Sequence, residues 1–467
     1  MKHIALLLLL LANISVISAQ DIDHNQALSD LISTKKWFEI ERYYQQHKED
    51  ITSDFVKLCY LAETGNVFNQ PLEAIAAYER LIDDNPLNMN TLTLFSLFAN
   101  PALQLCADIQ EFEKGREFCQ KLITLIEKET SIDSNTRLAI VQGMKEAEES
   151  FKQFSNIYPK VTIIRNETSN AREIELIPSA LTSRNDILFT AKWNGIKLKT
   201  IFDTGASLSY IYNRAIAEKI GVKLNTTDTI IMNESYEGAI RAFMGTIDSL
   251  ELGDFIIKNV PVCVNIETID PTDSIQAICD SLINSMFEIV LGLPVIKQLG
   301  FIELDFDKKT ISFPQKTTMI NQRNLYIEKN ILFMNIDACN ANLLTHFDTG
   351  NGEGLSINTD FYEKNKACIS LGSQVSQESS GVGGCNEASI QHRYFYNCPR
   401  IEIGINNQTI TLIDHCDVAK DKENDNVQGA DGGGVIGNAI FKYCKKATFD
   451  FENMVFEVIS SLPNSDQ

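Results

Sequence analysis

The chain repeats itself around one short pattern, and that repeat limits its possible folds more than any other feature. Ile201-Phe202-Asp203-Thr204-Gly205-Ala206-Ser207 and His346-Phe347-Asp348-Thr349-Gly350-Asn351 each read as an apolar strand that delivers an aspartate to a tight glycine turn. A lone Asp-Thr-Gly arises by chance in roughly one chain of this length in ten, so either copy alone would carry little. The surroundings repeat too. From Asp203 to the glycine of Ile289-Val290-Leu291-Gly292 is 89 residues, and from Asp348 to the second glycine of Gly434-Val435-Ile436-Gly437 is also 89. A further 13 residues reach Asp305-Phe306-Asp307 in one copy and Asp450-Phe451-Glu452 in the other. Three landmarks share an offset of 145, while Leu250-Glu251-Leu252-Gly253 and Ile401-Glu402-Ile403-Gly404 differ by 151. An insertion and a deletion between them must therefore cancel, as in a duplicated module whose functional points are held fixed.

The remaining chain changes periodicity in a definite order. Residues 1–19 have a basic start, an apolar run from Ile4 to Ala12 and small residues near Ala19, which describe a cleavable secretory signal and not a membrane span. The mature protein is expected to be secreted or periplasmic. Residues 20–155 read as an α-helical, partly repeat-like domain, with apolar residues three and four apart as in Leu72, Ile75, Ala76 and Leu81. Within it, Gly65 to Pro86 resembles one tetratricopeptide-type helical hairpin, a candidate surface for a protein partner. Residues 156–172 read as a linker or first edge strand. From 173 the pattern is β-rich, with lobes expected over 173–316 and 317–467. Ile187 to Phe202 reads as a hairpin turning at Asn194-Gly195, whose second strand runs straight into Asp203.

Composition narrows the partners. Lys and Arg total 41 against 62 Asp and Glu, a net charge of −21. Such acidity argues against nucleic acid or an anionic membrane as partner. The 11 cysteines suit an oxidising compartment without forming a dense framework; Cys263 with Cys279 and pairs within the second repeat are the expected disulfides. The 6 histidines are spread along the chain, no spacing resembles a zinc site, and neither metal nor organic cofactor is expected.

Two carboxyls about 3 Å apart cannot both ionise, so the pair holds one proton and can act on a water as base and on a carbonyl as acid. With Asp203 and Asp348 in those roles, the chain resembles the aspartic peptidase superfamily over roughly Glu173 to Ile459. The first copy is similar to bacterial retropepsin-like domains, and Val435-Ile436-Gly437-Asn438-Ala439-Ile440-Phe441 is similar to a pepsin C-terminal lobe. The resemblance implies that Thr204 and Thr349 hydrogen-bond across the lobe interface, and that Gly292 and Gly437 let the backbone approach the aspartates. Gly205, Ala206, Gly350 and Asn351 complete the two loops. Ala206 lacks the hydroxyl that pepsins carry there, which implies activity at less acidic pH. Asn351 fits neither pattern well; it would either replace the missing hydrogen bond or mark a decayed lobe. Flaps are expected at Ser235 to Arg241, with Tyr236 and Gly238 facing substrate, and at Ser379 to Cys385, with Gly381 and Gly383 permitting movement. Asp305, Asp307, Asp450 and Glu452 read as structural acids.

The expected architecture is thus multidomain: an all-α N-terminal domain followed by an all-β bilobal aspartic-protease fold. The expected activity is that of an exported aspartic endopeptidase acting on peptide or protein substrates. The rival is a catalytically inactive, protease-like peptide-binding protein whose helical domain is its interaction module. A third reading has the N-terminal domain removed as a pro-region.

Overall fold

Apolar spacings of three and four in the first third of the chain become helices. They are α1 (His24–Thr34), α2 (Trp37–His47), α3 (Asp54–Val67), α4 (Pro71–Asp84) and α5 (Thr91–Leu94), then a π-helical turn (Phe95–Ala99), α6 (Asn100–Asp108), α7 (Phe112–Lys128) and α8 (Ser134–Ile157). This computed structural model describes residues 22–85, 87–166, 173–179, 185–232, 240–265, 286–314, 322–380, 390–420 and 433–461. The chain divides into two compact units, Met1–Lys160 and Val161–Gln467. Asp23, Ser53 and Asp133 begin α1, α3 and α8 by accepting hydrogen bonds from first-turn N–H groups. Where α3 meets α4, a Cβ on Gly65 would lie 3.2 Å from that of Ala74, so small residues set the closeness of the pair. Among the described residues, no helix is long and apolar enough to cross a membrane.

One expectation about this unit needs correction. The histidines are not all apart: the α1–α2 turn folds His24 against His47, their rings stacked at 4.2 Å, with Asp50 beside them. Twenty-odd residues of helical hairpin bring both ends of the pair to one place, which linear spacing does not display.

The second unit is built from strands. The first lobe holds β1 (Thr162–Arg165), β2 (Glu173–Ile177), β3 (Leu188–Trp193), β4 (Ile196–Asp203), β5 (Ser209–Ile211), β6 (Lys223–Met232), β7 (Ile240–Leu252), β8 (Phe255–Asn265), β9 (Ile289–Gly292), β10 (Phe301–Asp305) and β11 (Thr310–Ser312). The second holds β12 (Leu325–Glu328), β13 (Ile331–Ala338), β14 (Ala341–Phe347), β15 (Leu355–Ile357), β16 (Gln374–Ser380), β17 (Ile390–Asn397), β18 (Arg400–Ile405), β19 (Gln408–Ile413), β20 (Cys416–Val418) and β21 (Gly434–Ile436). Finally, β22 (Cys444–Asp450) and β23 (Val455–Ser460) leave the second lobe and join the sheet of the first. The stretch read as a linker or first edge strand contains a strand: β1 pairs antiparallel with β8, and Arg165 bonds Asp254 at 2.9 Å while stacking on Phe255.

The duplication is visible in the pairing. In the first lobe β4 runs parallel to β9 and β5 parallel to β8; in the second, β14 runs parallel to β21 and β15 parallel to β20. The copies also pair with each other. β10 lies antiparallel to β22, and their register matches Glu303 to Thr448, two residues 145 apart in sequence. A residue that faces its own counterpart marks the local two-fold axis between the lobes.

Below the repeated loops sits an aromatic core. Phe202 and Phe347, each immediately before an aspartate, lie 5.9 and 5.5 Å from the ring of Phe449, which also meets Phe456 at 4.7 Å. All four are fully buried, each contributing about 1.5–3 kcal/mol from area removed from water. The strands that carry the aspartates are thereby clamped on one residue of β22.

The cysteines follow the strands, and a bridge forms among the described residues. Cys339 and Cys368 form a disulfide within the second repeat. Cys263 is a free thiol: it faces the core of the first lobe from β8, with its sulfur 3.3 Å from that of Met244. Cys279 lies outside the described residues.

Candidate active site

Each Asp-Thr-Gly loop leaves a parallel strand pair: Asp203 is in register beside Gly292 on β9, and Asp348 N–H donates to the carbonyl of Ile436 on β21 at 3.0 Å. The backbone then turns over its own carboxylate. Gly205 and Ala206 donate N–H bonds of 2.8 and 3.1 Å to Asp203 Oδ1, and Gly350 and Asn351 donate bonds of 2.9 and 3.1 Å to Asp348 Oδ1. The second loop thus reproduces the first, and its Asn351 does so through the main chain. The side chain of Asn351 neither replaces the missing hydroxyl nor distorts the loop: its Oδ1 accepts from Glu353 N–H at 3.0 Å.

The threonines join the loops. Thr204 N–H donates to Thr349 Oγ1 at 3.0 Å, and Thr349 N–H donates to Thr204 Oγ1 at 3.0 Å. Each hydroxyl passes its own proton to the carbonyl before the opposite aspartate, Thr204 to Phe347 at 2.8 Å and Thr349 to Phe202 at 2.9 Å. Both threonines are fully buried. Four reciprocal direct bonds hold the two loops in one register.

This clamp brings the aspartates face to face. A Cβ on Gly205 would fall 2.3 Å from Asp348 Cγ, and one on Gly350 would fall 2.4 Å from Asp203 Cγ. Each glycine is the floor on which the opposite carboxyl rests. The two carboxyls are close enough to act on each other through charge and hydrogen bonding. Burial first, then the charge and hydrogen bonding of Asp348, push the Asp203 carboxyl well above its usual range, against the pull of the Gly205 and Ala206 N–H groups.

Gly292 and Gly437 both stand where main chain packs closely against them. A Cβ on Gly292 would meet the main-chain carbon of Leu208 at 2.5 Å, and one on Gly437 would meet the carbonyl oxygens of Glu353 and Asn351 at 2.4 and 2.6 Å. They admit the chain that follows each aspartate loop, and Gly292 also lies in register beside Asp203. Tyr236, Gly238, Gly381 and Gly383 lie outside the described residues. The arms on either side of them, β6 with β7 and β16 with β17, are antiparallel hairpins. Asp305 takes Lys446 at 3.2 Å and Asp450 caps the Glu452 and Asn453 N–H groups, which are structural contacts.

Sequence reading missed Asn438. This fully buried residue donates from Nδ2 to the carbonyl of Thr349 at 3.0 Å and to Asp186 at 3.1 Å, and its Oδ1 accepts from Asn185 N–H at 3.2 Å. It ties the second loop to the approach of β3, and its counterpart at the same offset is the apolar Leu293. A polar residue directly after an apolar-apolar-glycine was the available signal. Ser209, whose hydroxyl accepts from Gly292 N–H at 3.1 Å, was also missed.

Residues 189–295 match a family model for aspartyl protease. The match contains Asp203, Thr204, Gly205 and Gly292 and ends before Asp348. It supports an aspartic peptidase-type domain in this part of the chain. No curated protein matches the sequence.

Proposed function

We propose that the protein is an exported aspartic endopeptidase. The observation that carries the reading is the pair of carboxyls from duplicated loops, each seated on the other's glycine. A pair that retains one proton offers both partners of amide hydrolysis. A water between Asp203 and Asp348 loses its proton to the ionised carboxylate, while the protonated carboxyl donates to the carbonyl oxygen of the substrate. The substrate is an extended peptide crossing the pair, held by main-chain hydrogen bonds beneath the two hairpins. Because position 206 is alanine, Asp203 lacks a hydroxyl donor to its charged form, which favours activity at less acidic pH than a pepsin's. Shared-proton geometry favours this reading over an inactive peptide-binding relative, for which the carboxyls need not meet.

Asp203→Asn and Asp348→Asn should each abolish cleavage of an unfolded protein substrate and its inhibition by pepstatin, since either change removes one of the two roles. Full cleavage by either variant would end the proposal. Export rests on residues 1–19, and an intact-mass measurement on secreted protein should find a chain beginning at Gln20.

A further inference from the structure

The helical unit gathers three side chains able to ligate a metal at one edge, and the proposed hydrolysis does not use them. His24 is the first residue of α1, His47 the last of α2, and Asp50 stands in the turn that follows. One ligand atom from each lies within 4.8 Å of the other two. The imidazole rings stack with centroids 4.2 Å apart and planes 25° apart, and Asp50 Oδ2 is 3.7 Å from His47 Nδ1. Both rings are half-buried and Asp50 is exposed, so the group opens to solvent.

Neighbouring groups hold the three together. Asn25, next to His24, accepts on Oδ1 from the Thr52 and Ser53 N–H groups at 3.0 and 2.8 Å, which fixes the start of α1 against the chain just beyond Asp50. Asp50 N–H donates to the His47 carbonyl at 2.9 Å, and the next residue, Ile51, is fully buried. Tyr43, one turn before His47, meets His24 Nδ1 with its hydroxyl at 2.8 Å and sets the plane of that ring. Burial first, then the charges of Asp23 and Asp50, push the Tyr43 phenol above its usual range, so the local field is negative. A preformed framework and a negative field both suit a small cation.

We propose that His24, His47 and Asp50 form a site for a divalent first-row metal ion of the zinc class. Two imidazole nitrogens and a carboxylate oxygen are a donor set such an ion takes, whereas calcium and magnesium take oxygens. Around a four-coordinate zinc, with bonds of about 2.0–2.2 Å, ligand atoms stand about 3.4 Å apart. Small rotations of these solvent-facing side chains close the difference, and water takes the fourth position. Bound there, the ion joins the start of α1 to the end of α2 and stabilises the helical unit. The inference does not depend on the peptidase reading.

Isothermal titration of Zn²⁺ into the chelator-treated full chain tests the site. Wild type should bind one equivalent at pH 7.4, and His24→Ala and His47→Ala should each weaken that binding at least about tenfold. Lowering the pH to 5 should weaken it by at least about tenfold as well, because a ligating imidazole must be neutral. Should an alanine variant not fold, His24→Gln and His47→Gln read the same loss. Asp203→Asn should bind zinc as wild type does, which separates the site from the paired aspartates. Saturating zinc should raise Tm for wild type and not for the double histidine variant. Unchanged zinc affinity in both histidine variants, no binding of one equivalent by wild type, or Ca²⁺ binding as tightly as Zn²⁺ would each overturn the proposal and leave the peptidase reading untouched.

Discussion

Asp203 carries a linkage that can be measured without substrate. Its folded-state carboxyl is held above the usual 3.8, so the folded protein binds that proton more tightly than the unfolded chain does. Stability from this source is fully present below about pH 3.8 and is lost as pH rises through the folded value. Asn at position 203 keeps an oxygen for the Gly205 and Ala206 N–H groups and carries no charge to bury. Asp203→Asn should therefore raise Tm at pH 7 relative to wild type, by about 2–4 °C for each kcal/mol relieved, with the difference vanishing near pH 3. A thermal melt series across pH checks both the sign and its disappearance. Sequence made the aspartates legible through spacing, but not their protonation, which depends on burial and on how closely the facing loops approach. Asn351 shows the same limit. Its identity raised a doubt about the second loop, and only the main-chain bond to Asp348 removes it.

Among the elements, most strands and helices were readable because their signals are local. The Asn194-Gly195 turn, with both residues at positive φ of 48° and 79°, pairs β3 with β4 as the residue types require. What could not be read were contacts that join elements far apart. Asn438, just after β21, bonds the segment before β3 across some 250 residues of chain, and its polar identity after the glycine does not say which distant groups it meets. Asn438→Leu should leave the Thr349 carbonyl and Asn185 N–H short of partners and lower stability by about 1–3 kcal/mol, read as a fall in the denaturation midpoint at unchanged m-value. Cys263 is likewise a contact the sequence leaves open: it is a buried free thiol on β8 between Val262 and Val264, which are buried too.

At the scale of the molecule, each unit has its own buried core, of helices in Met1–Lys160 and of sheets in Val161–Gln467. Calorimetry should resolve two unfolding transitions, and saturating pepstatin should raise only the one belonging to the β unit, since binding stabilises the unit that holds the ligand. A single transition raised as a whole would show instead that the units unfold together. By itself the sequence determined the helical and β-rich regions, the duplication and the identity of both aspartates, because periodicity and fixed spacing are written along the chain. Tertiary structure decided that each aspartate rests on the opposite glycine, that Thr204 and Thr349 exchange bonds, and that Glu303 faces Thr448 on the axis between copies. It also decided that one half buries Ile201 where the other buries a His346 nitrogen, unpartnered among the described residues. Those features arise only when two distant copies meet about a common axis, and a linear spacing of 145 fixes which residues correspond without fixing which ones touch.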